Sequence, residues 1–237
     1  TQGVSSAASD VYKRQYLGRV VASCMKGSRK IADSVAIVDY DAGNLASVKR
    51  ACEYLGSEAY LCRDVEGLAK AKRIIFPGVG AADSAMVSLK KSGLDRALIG
   101  AYNEGVPILG ICLGMQISLS SSEEGQTPTL NMIPGSVCRF SFNNPNQKIP
   151  HMGWNTLRVL KDHPVLENID GEYFYFVHSY YPRLDSDVHA YGQTTYETEF
   201  ISALGQGNFF GTQFHPEKSA EAGLRLIGNF LSWDGKC

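Results

Sequence analysis

The sequence is short of the features that announce many function classes. No apolar run approaches the ~20 residues needed to cross a bilayer as a helix. There is no G-x-x-x-x-G-K-[ST] phosphate loop, and Gly78-Val79-Gly80 is not a dinucleotide fingerprint, because Asp83 stands at the third glycine position. The cysteines (Cys24, Cys52, Cys62, Cys112, Cys138 and Cys237) form no C-x-x-C pair, and none has a histidine at zinc-ligand spacing. Neither His151, His163, His178 nor His189 shows metal-like spacing, so no metal or cofactor is expected. His163 and His189 read as solvated, and His178, among aromatics, as structural or site-lining. A formal net charge of −1 gives no electrostatic case for nucleic acid or anionic membrane. What is left is ordinary: 237 residues, 44% hydrophobic and 20% charged, enough for one domain with a sizeable core. Thiols without a disulfide framework suit a reducing cytoplasm.

The first residues do not match the rest. Residues 1–34 carry a net charge of +4, which leaves −5 for the remainder, and they sustain no helical or strand period. Residues 4–15 (VSSAASDVYKRQ) resemble translated sequencing-adapter read-through, and Met25 reads as a start. Val21-Ala22-Ser23-Cys24 has the outline of a lipoprotein cleavage site, but Arg19 interrupts the apolar stretch a signal peptide needs. Residues 1–34 are therefore expected to be a non-native or disordered leader, and 35–237 a single domain.

Beyond the leader, short β-branched runs alternate with helical periods. Strands are predicted over 35–40, 59–61, 73–76 and 106–111, and helices over 45–55, 82–91 and 94–103. The second half reads as strands over 137–142, 156–159, 173–177, 190–196, 201–204 and 209–213, closed by a helix over 220–231. This order predicts an α/β fold in three layers: a mostly parallel central sheet flanked by helices, with extra β structure in the second half.

Three motifs carry chemistry. Gly110-Ile111-Cys112-Leu113-Gly114 has the form G-x-C-x-G after an apolar strand, the context of a nucleophile elbow with sulfur in place of hydroxyl. A helix N-terminus after the turn favours thiolate, and the N–H of Leu113 would face the oxyanion of a tetrahedral intermediate. By itself the motif fits a buried structural cysteine equally well. Phe214-His215-Pro216-Glu217 follows a strand; His215 suits a base for a thiol, and Glu217, one residue beyond Pro216, suits its orienting partner. Alone, that segment reads better as a surface turn. Pro77-Gly78-Val79-Gly80 offers backbone N–H groups to a carbonyl or anion, although an ordinary turn has the same form.

Taken together these residues resemble a known family. IVDYDAGNLASV (37–48), PGVG (77–80), GICLGMQ (110–116), IPHMGWN (149–155), YFVHSYY (175–181) and GTQFHPEKS (211–219) are similar to segments of the glutaminase subunits of imidazole glycerol phosphate synthase, class I glutamine amidotransferases of histidine biosynthesis. The resemblance runs from about residue 35 to 231 and implies a flavodoxin-like fold. It implies that Cys112 attacks the amide of glutamine, His215 acts as base and then acid, and Glu217 orients it. It places the oxyanion hole at Leu113 and Val79, with the PGVG peptide turning to complete it, and glutamine against Gly80 and Gln116. It also implies a (β/α)₈-barrel cyclase as partner in a heterodimer, docked on Asn44, Trp154 and Lys218. PGVGAA replaces the more usual PGVGAF, Ile117-Ser118-Leu119-Ser120 replaces larger residues, and residues 129–132 lack a customary glycine; these departures bear on packing. Three rivals remain: the small subunit of anthranilate synthase or another class I enzyme, a stand-alone thiol hydrolase, and a non-catalytic binding module. IPHMGWN and YFVHSYY argue against the first. In an α/β-hydrolase the acid precedes the histidine, whereas here His215 precedes Glu217. The complete Cys, His and Glu set argues against the third.

Overall fold

The computed structural model of the protein describes residues 34–236, apart from 42 and 145. The readings on residues 1–33, on Ala42 and on Cys237 lie outside the described residues. Ser34 already belongs to the first strand, β1 (Ser34–Val38). There follow α1 (Leu45–Tyr54), β2 (Glu58–Cys62), α2 (Val65–Ala69), β3 (Ile74–Gly78), α3 (Ala82–Ser92), α4 (Leu94–Asn103) and β4 (Ile108–Cys112). Strands β2, β1, β3 and β4 are neighbours in that order and run parallel. Parallel strands with both faces covered must be apolar on both, and β3 and β4 are buried at every residue. Alternation sends Val35 and Ile37 to one core, shared with Val48 and Cys52 of α1. It sends Ala36 and Val38 to the other, shared with Leu68, Leu89 and Leu98 of α2, α3 and α4. Helices therefore cover both faces.

The second half contributes α5 (Leu113–Gln116), β5 (Ser121–Ser122), β6 (Thr127–Pro128), β7 (Gly135–Arg139), β8 (His151–Thr156), β9 (Arg158–Val159), β10 (Tyr173–His178), β11 (Tyr180–Leu184), β12 (Ala190–Tyr196), β13 (Thr198–Gln206), β14 (Phe209–Thr212) and α6 (Ala220–Ser232). β14 extends the main sheet parallel to β4, and β13, β12 and β9 continue it antiparallel to eight strands. β8 pairs with β10 in a two-stranded sheet, and β11, β7, β5 and β6 form a third. α6 buries Leu226, Ile227, Phe230 and Leu231 against the α1 face, as its apolar period predicts. The three-layer α/β expectation is met. No helix among the described residues is long and apolar enough to cross a membrane.

Several local readings are corrected. The strand expected over 156–159 is two strands, β8 and β9, on either side of Leu157. β8 inverts the usual pattern: His151 is buried while Met152 and Trp154 are exposed. Pro182 disguises β11, yet β11 is the edge of its sheet, where proline is tolerated. His163 is not solvated. It is 6% exposed, stacks on Phe210 at 4.3 Å and meets Trp233 at 4.9 Å. Burial, aided by the charge of Lys161, lowers its pKa to about 4, so it packs as a neutral ring. His189 is half-buried.

Candidate active site

β4 ends in an abrupt turn at Cys112, whose φ of 53° and ψ of −108° put a non-glycine residue in a strained region. Such a conformation costs about 1–3 kcal/mol and persists only where packing dictates it. Here the packing is explicit. A Cβ on Gly114 would lie 1.8 Å from the Phe76 carbonyl oxygen, and one on Gly110 would lie 2.7 Å from the Phe209 ring. The elbow therefore closes flush against β3 and β14. The expected helix after it is the single turn α5, too short for a large macrodipole. Its N–H groups, beginning at Leu113, have no intrahelical acceptors.

His215 follows β14. Its N–H donates to Tyr175 O at 2.9 Å, and its carbonyl accepts from Ser219 Oγ at 2.6 Å. Ser219 Oγ in turn accepts from Tyr175 N at 3.0 Å, which ties the segment to β10. Glu217 reaches His215 through the tight turn Pro216–Lys218, and Oε1 lies 2.9 Å from Nδ1. Both side chains are 2% exposed. A carboxylate only accepts, so Nδ1 carries the proton and Nε2 is left for Cys112. Nε2 makes no well-formed hydrogen bond, but it is close enough to the sulfur for their charges to interact. Burial pulls the imidazole pKa down; attraction to Cys112, aided by Glu217, outweighs it and raises the value to about 10.

The sulfur opens into a cleft of about 290 Å³ lined by Val79, Gly80, Cys112, Leu113, Gln116 and Glu124, with Pro150 and the segment 177–180 opposite. Val79, Gly80, Leu113 and Gln116, four residues singled out from the sequence, thus share one cavity with Cys112, and His215 and Glu217 stand behind it. Gly78 must be glycine: a Cβ there would meet Tyr40 Oη at 2.1 Å and Leu113 Cβ at 3.0 Å. Gly80, at φ +99°, gives the next bend. Gln116 is 5% exposed, and its Nε2 donates to Tyr180 O at 2.8 Å and to Gln213 Oε1 at 3.0 Å. Both amide hydrogens are used internally, which leaves Oε1 for a ligand.

The wall opposite the sulfur is a chain of neutral rings. Tyr180 O accepts from His178 Nδ1 at 2.8 Å, so His178 Nε2 accepts from His151 Nδ1 at 2.9 Å. His151 Nε2 then accepts from Asn155 Nδ2 at 3.3 Å. Burial lowers the pKa of His151 to about 4 and of His178 to about 3. His178 is thus both structural and site-lining, as its aromatic surroundings suggest.

The other three residues lie outside the cleft. Trp154 is 54% exposed on β8 and meets Tyr175 edge-on at 6.1 Å; Lys218 Nζ lies 5.7 Å from the same ring. Asn44 stands at the N-cap position of α1, without a side-chain capping hydrogen bond, and α1 touches the turn holding Lys218. Sequence reasoning passed over Glu124, whose setting in SSEEG carries no spacing signal, and Gln213, an uncharged residue just before the histidine motif.

Comparison with known proteins identifies the family. Residues 36–232 match the family model Glutamine amidotransferase class-I. The chain is 48% identical over 208 residues to the imidazole glycerol phosphate synthase subunit HisH of Natronomonas pharaonis, covering 84% of this chain and 94% of that protein. It is 45% identical to the subunit HisH of Methanothermobacter thermautotrophicus, covering 83% and 97%. In fold it is similar to a crystal structure of a glutamine amidotransferase, with a TM-score of 0.67 at 23% identity over 85% of this chain and 98% of that one. A PurLQS structure from Thermotoga maritima matches with a TM-score of 0.66 at 19% identity, over 84% and 97%. The chain belongs to the class I glutamine amidotransferases, in the family of the imidazole glycerol phosphate synthase subunit HisH.

Proposed function

We propose that the chain hydrolyses glutamine to glutamate and ammonia at Cys112, and delivers the ammonia to a (β/α)₈-barrel cyclase subunit in the cytoplasm. The observation that carries this reading is the Cys112–His215–Glu217 constellation behind a cleft sized for a small molecule. His215 Nε2 takes the thiol proton, and the sulfur attacks the side-chain amide carbon. The oxyanion is held by the N–H groups of Leu113 and Val79. His215 then protonates the departing nitrogen, ammonia leaves, and a thioester remains. His215 next activates a water to release glutamate. Glu217 keeps Nδ1 protonated and the ring in place throughout. Glu124 is the carboxylate lining the cleft, which suits the ammonium group of the substrate, and Gln116 Oε1 and Gly80 complete its seat. The sequence calls for no cofactor.

Free ammonia is mostly protonated at neutral pH, so its direct transfer to an acceptor is advantageous. Met152, Trp154 and Tyr173 form an exposed apolar patch on the β8–β10 sheet beside the site, with Lys218 over Tyr175. Such a patch fits a permanent partner, and Asn44 and Lys218 supply its polar margin. Cys52, Cys62, Cys112 and Cys138 are buried free thiols, in keeping with a reducing compartment.

The test is glutaminase activity of the chain alone, with cyclase, and with cyclase plus its phosphorylated nucleotide. Strong stimulation in the last case is expected. Full activity alone, with no association at micromolar concentration, would identify a self-sufficient hydrolase instead.

A further inference from the structure

We propose that Gln213 is a positioning residue for the nucleophile: its side-chain N–H holds the Cys112 sulfur and favours its thiolate form. The inference rests on Cys112 being the nucleophile. Gln213 follows β14, is 0% exposed, and its own N–H donates to Ser202 O at 2.8 Å. Its Nε2 lies 3.6 Å from Cys112 Sγ, and its Oε1 accepts from Gln116 Nε2 at 3.0 Å.

The orientation of this amide follows from its partners. Gln116 must present nitrogen to the Tyr180 carbonyl, which can only accept. The second hydrogen of that nitrogen meets Gln213, so Gln213 turns its oxygen toward Gln116 and its nitrogen toward the sulfur. A buried N–H aimed at sulfur stabilises the anion over the thiol. The amide transfers no proton; that remains with His215, two residues on, which also faces Cys112. One short segment thus supplies both the base and the donor that steadies its target. It also links the sulfur to Gln116, so the substrate seat and the nucleophile share one hydrogen-bonded frame.

Gln213→Glu keeps the length and the acceptor for Gln116 but replaces the donor with a carboxylate. Gln213→Met removes the donor at similar volume. The readout is the pH midpoint of Cys112 alkylation by iodoacetamide in the whole chain, localised by peptide mass mapping, with folding checked by circular dichroism. In both variants the midpoint is expected to rise by about one unit and glutaminase kcat with the partner to fall about tenfold, with little change in KM in Gln213→Glu, which keeps the acceptor for Gln116. A merely structural role leaves the midpoint in place, and an unmoved midpoint in folded variants overturns the proposal. If neither variant folds, the wild-type chain decides. The Gln213 side-chain amide proton resonance must titrate with the alkylation midpoint, and an insensitive resonance overturns it. Shifted midpoints in a chain with no glutaminase activity would sink the glutamine reading and keep Gln213. Intact activity with unmoved midpoints would do the reverse.

Discussion

Strands β4 and β8 both lead into the site, and they bury their residues by opposite rules. β4 is apolar throughout, covered on both faces, and ends in a turn with no spare volume. β8 turns His151 inward and Met152 and Trp154 outward, so its polar side faces the protein and its apolar side faces solvent. The difference teaches where each property resides. The elbow holds Cys112 in a strained conformation because the fold around it is over-determined. The β8–β10 sheet keeps part of its apolar surface in reserve, and its inner face holds together through hydrogen bonds between neutral histidines that close only when the chain is folded.

The largest effect is expected at the elbow. Gly114→Ala puts a methyl group 1.8 Å from the Phe76 carbonyl, where backbone must move. It is expected to cost more than about 4 kcal/mol in urea unfolding or to abolish soluble expression. Gly153→Ala on β8 meets nothing within 4 Å and bears only the backbone strain of its φ of +134°, so about 1–3 kcal/mol is expected. Equal losses at the two sites would refute the distinction.

Acid probes the other side. His151, His163 and His178 have folded pKa values lowered to about 4, about 4 and about 3 by burial. Between the ordinary value of 6.5 and these values the unfolded chain takes up protons that the folded chain refuses. Stability therefore falls as pH drops from about 6.5 toward 4, by about 1–2 kcal/mol per histidine at pH 5. Denaturant midpoints at pH 7 and pH 5 measure it. A flat profile across that window would show that these rings are charged or open to water in the folded state.

The smallest expected change in stability is at the exposed patch proposed above for docking. Trp154→Ala should move the stability of the isolated chain by less than about 0.5 kcal/mol. It should nonetheless weaken binding of the cyclase by about tenfold or more, read by calorimetry. Destabilisation of the free chain with unchanged binding would make Trp154 part of the core rather than the interface.

The parallel half of the fold was legible because its strands are apolar on both faces and its helices are amphipathic; those patterns follow from local sequence. β8 and β11 were not, because one points its apolar residues outward and the other carries Pro182 at a sheet edge. His163 misled for a related reason. Its sequence neighbours Lys161 and Asp162 are polar, and its burial comes from Phe210 and Trp233, distant in sequence. In the site, Cys112 and the His215–Glu217 pair announced themselves because an elbow and a base need fixed local spacing. Gln213 and Glu124 gave no such signal; an amide or a lone acid gains its role only from what the fold sets beside it.

The proposed function stands or falls on Cys112 being, alone among the thiols, the activated nucleophile. The most direct measurement treats the whole chain with a glutamine-analogue diazo ketone and maps the labelled peptide by mass. A single label on Cys112, blocked by glutamine, and no hydrolysis by Cys112→Ala are expected. A label on Cys52, Cys62 or Cys138, or hydrolysis surviving in Cys112→Ala, would contradict it.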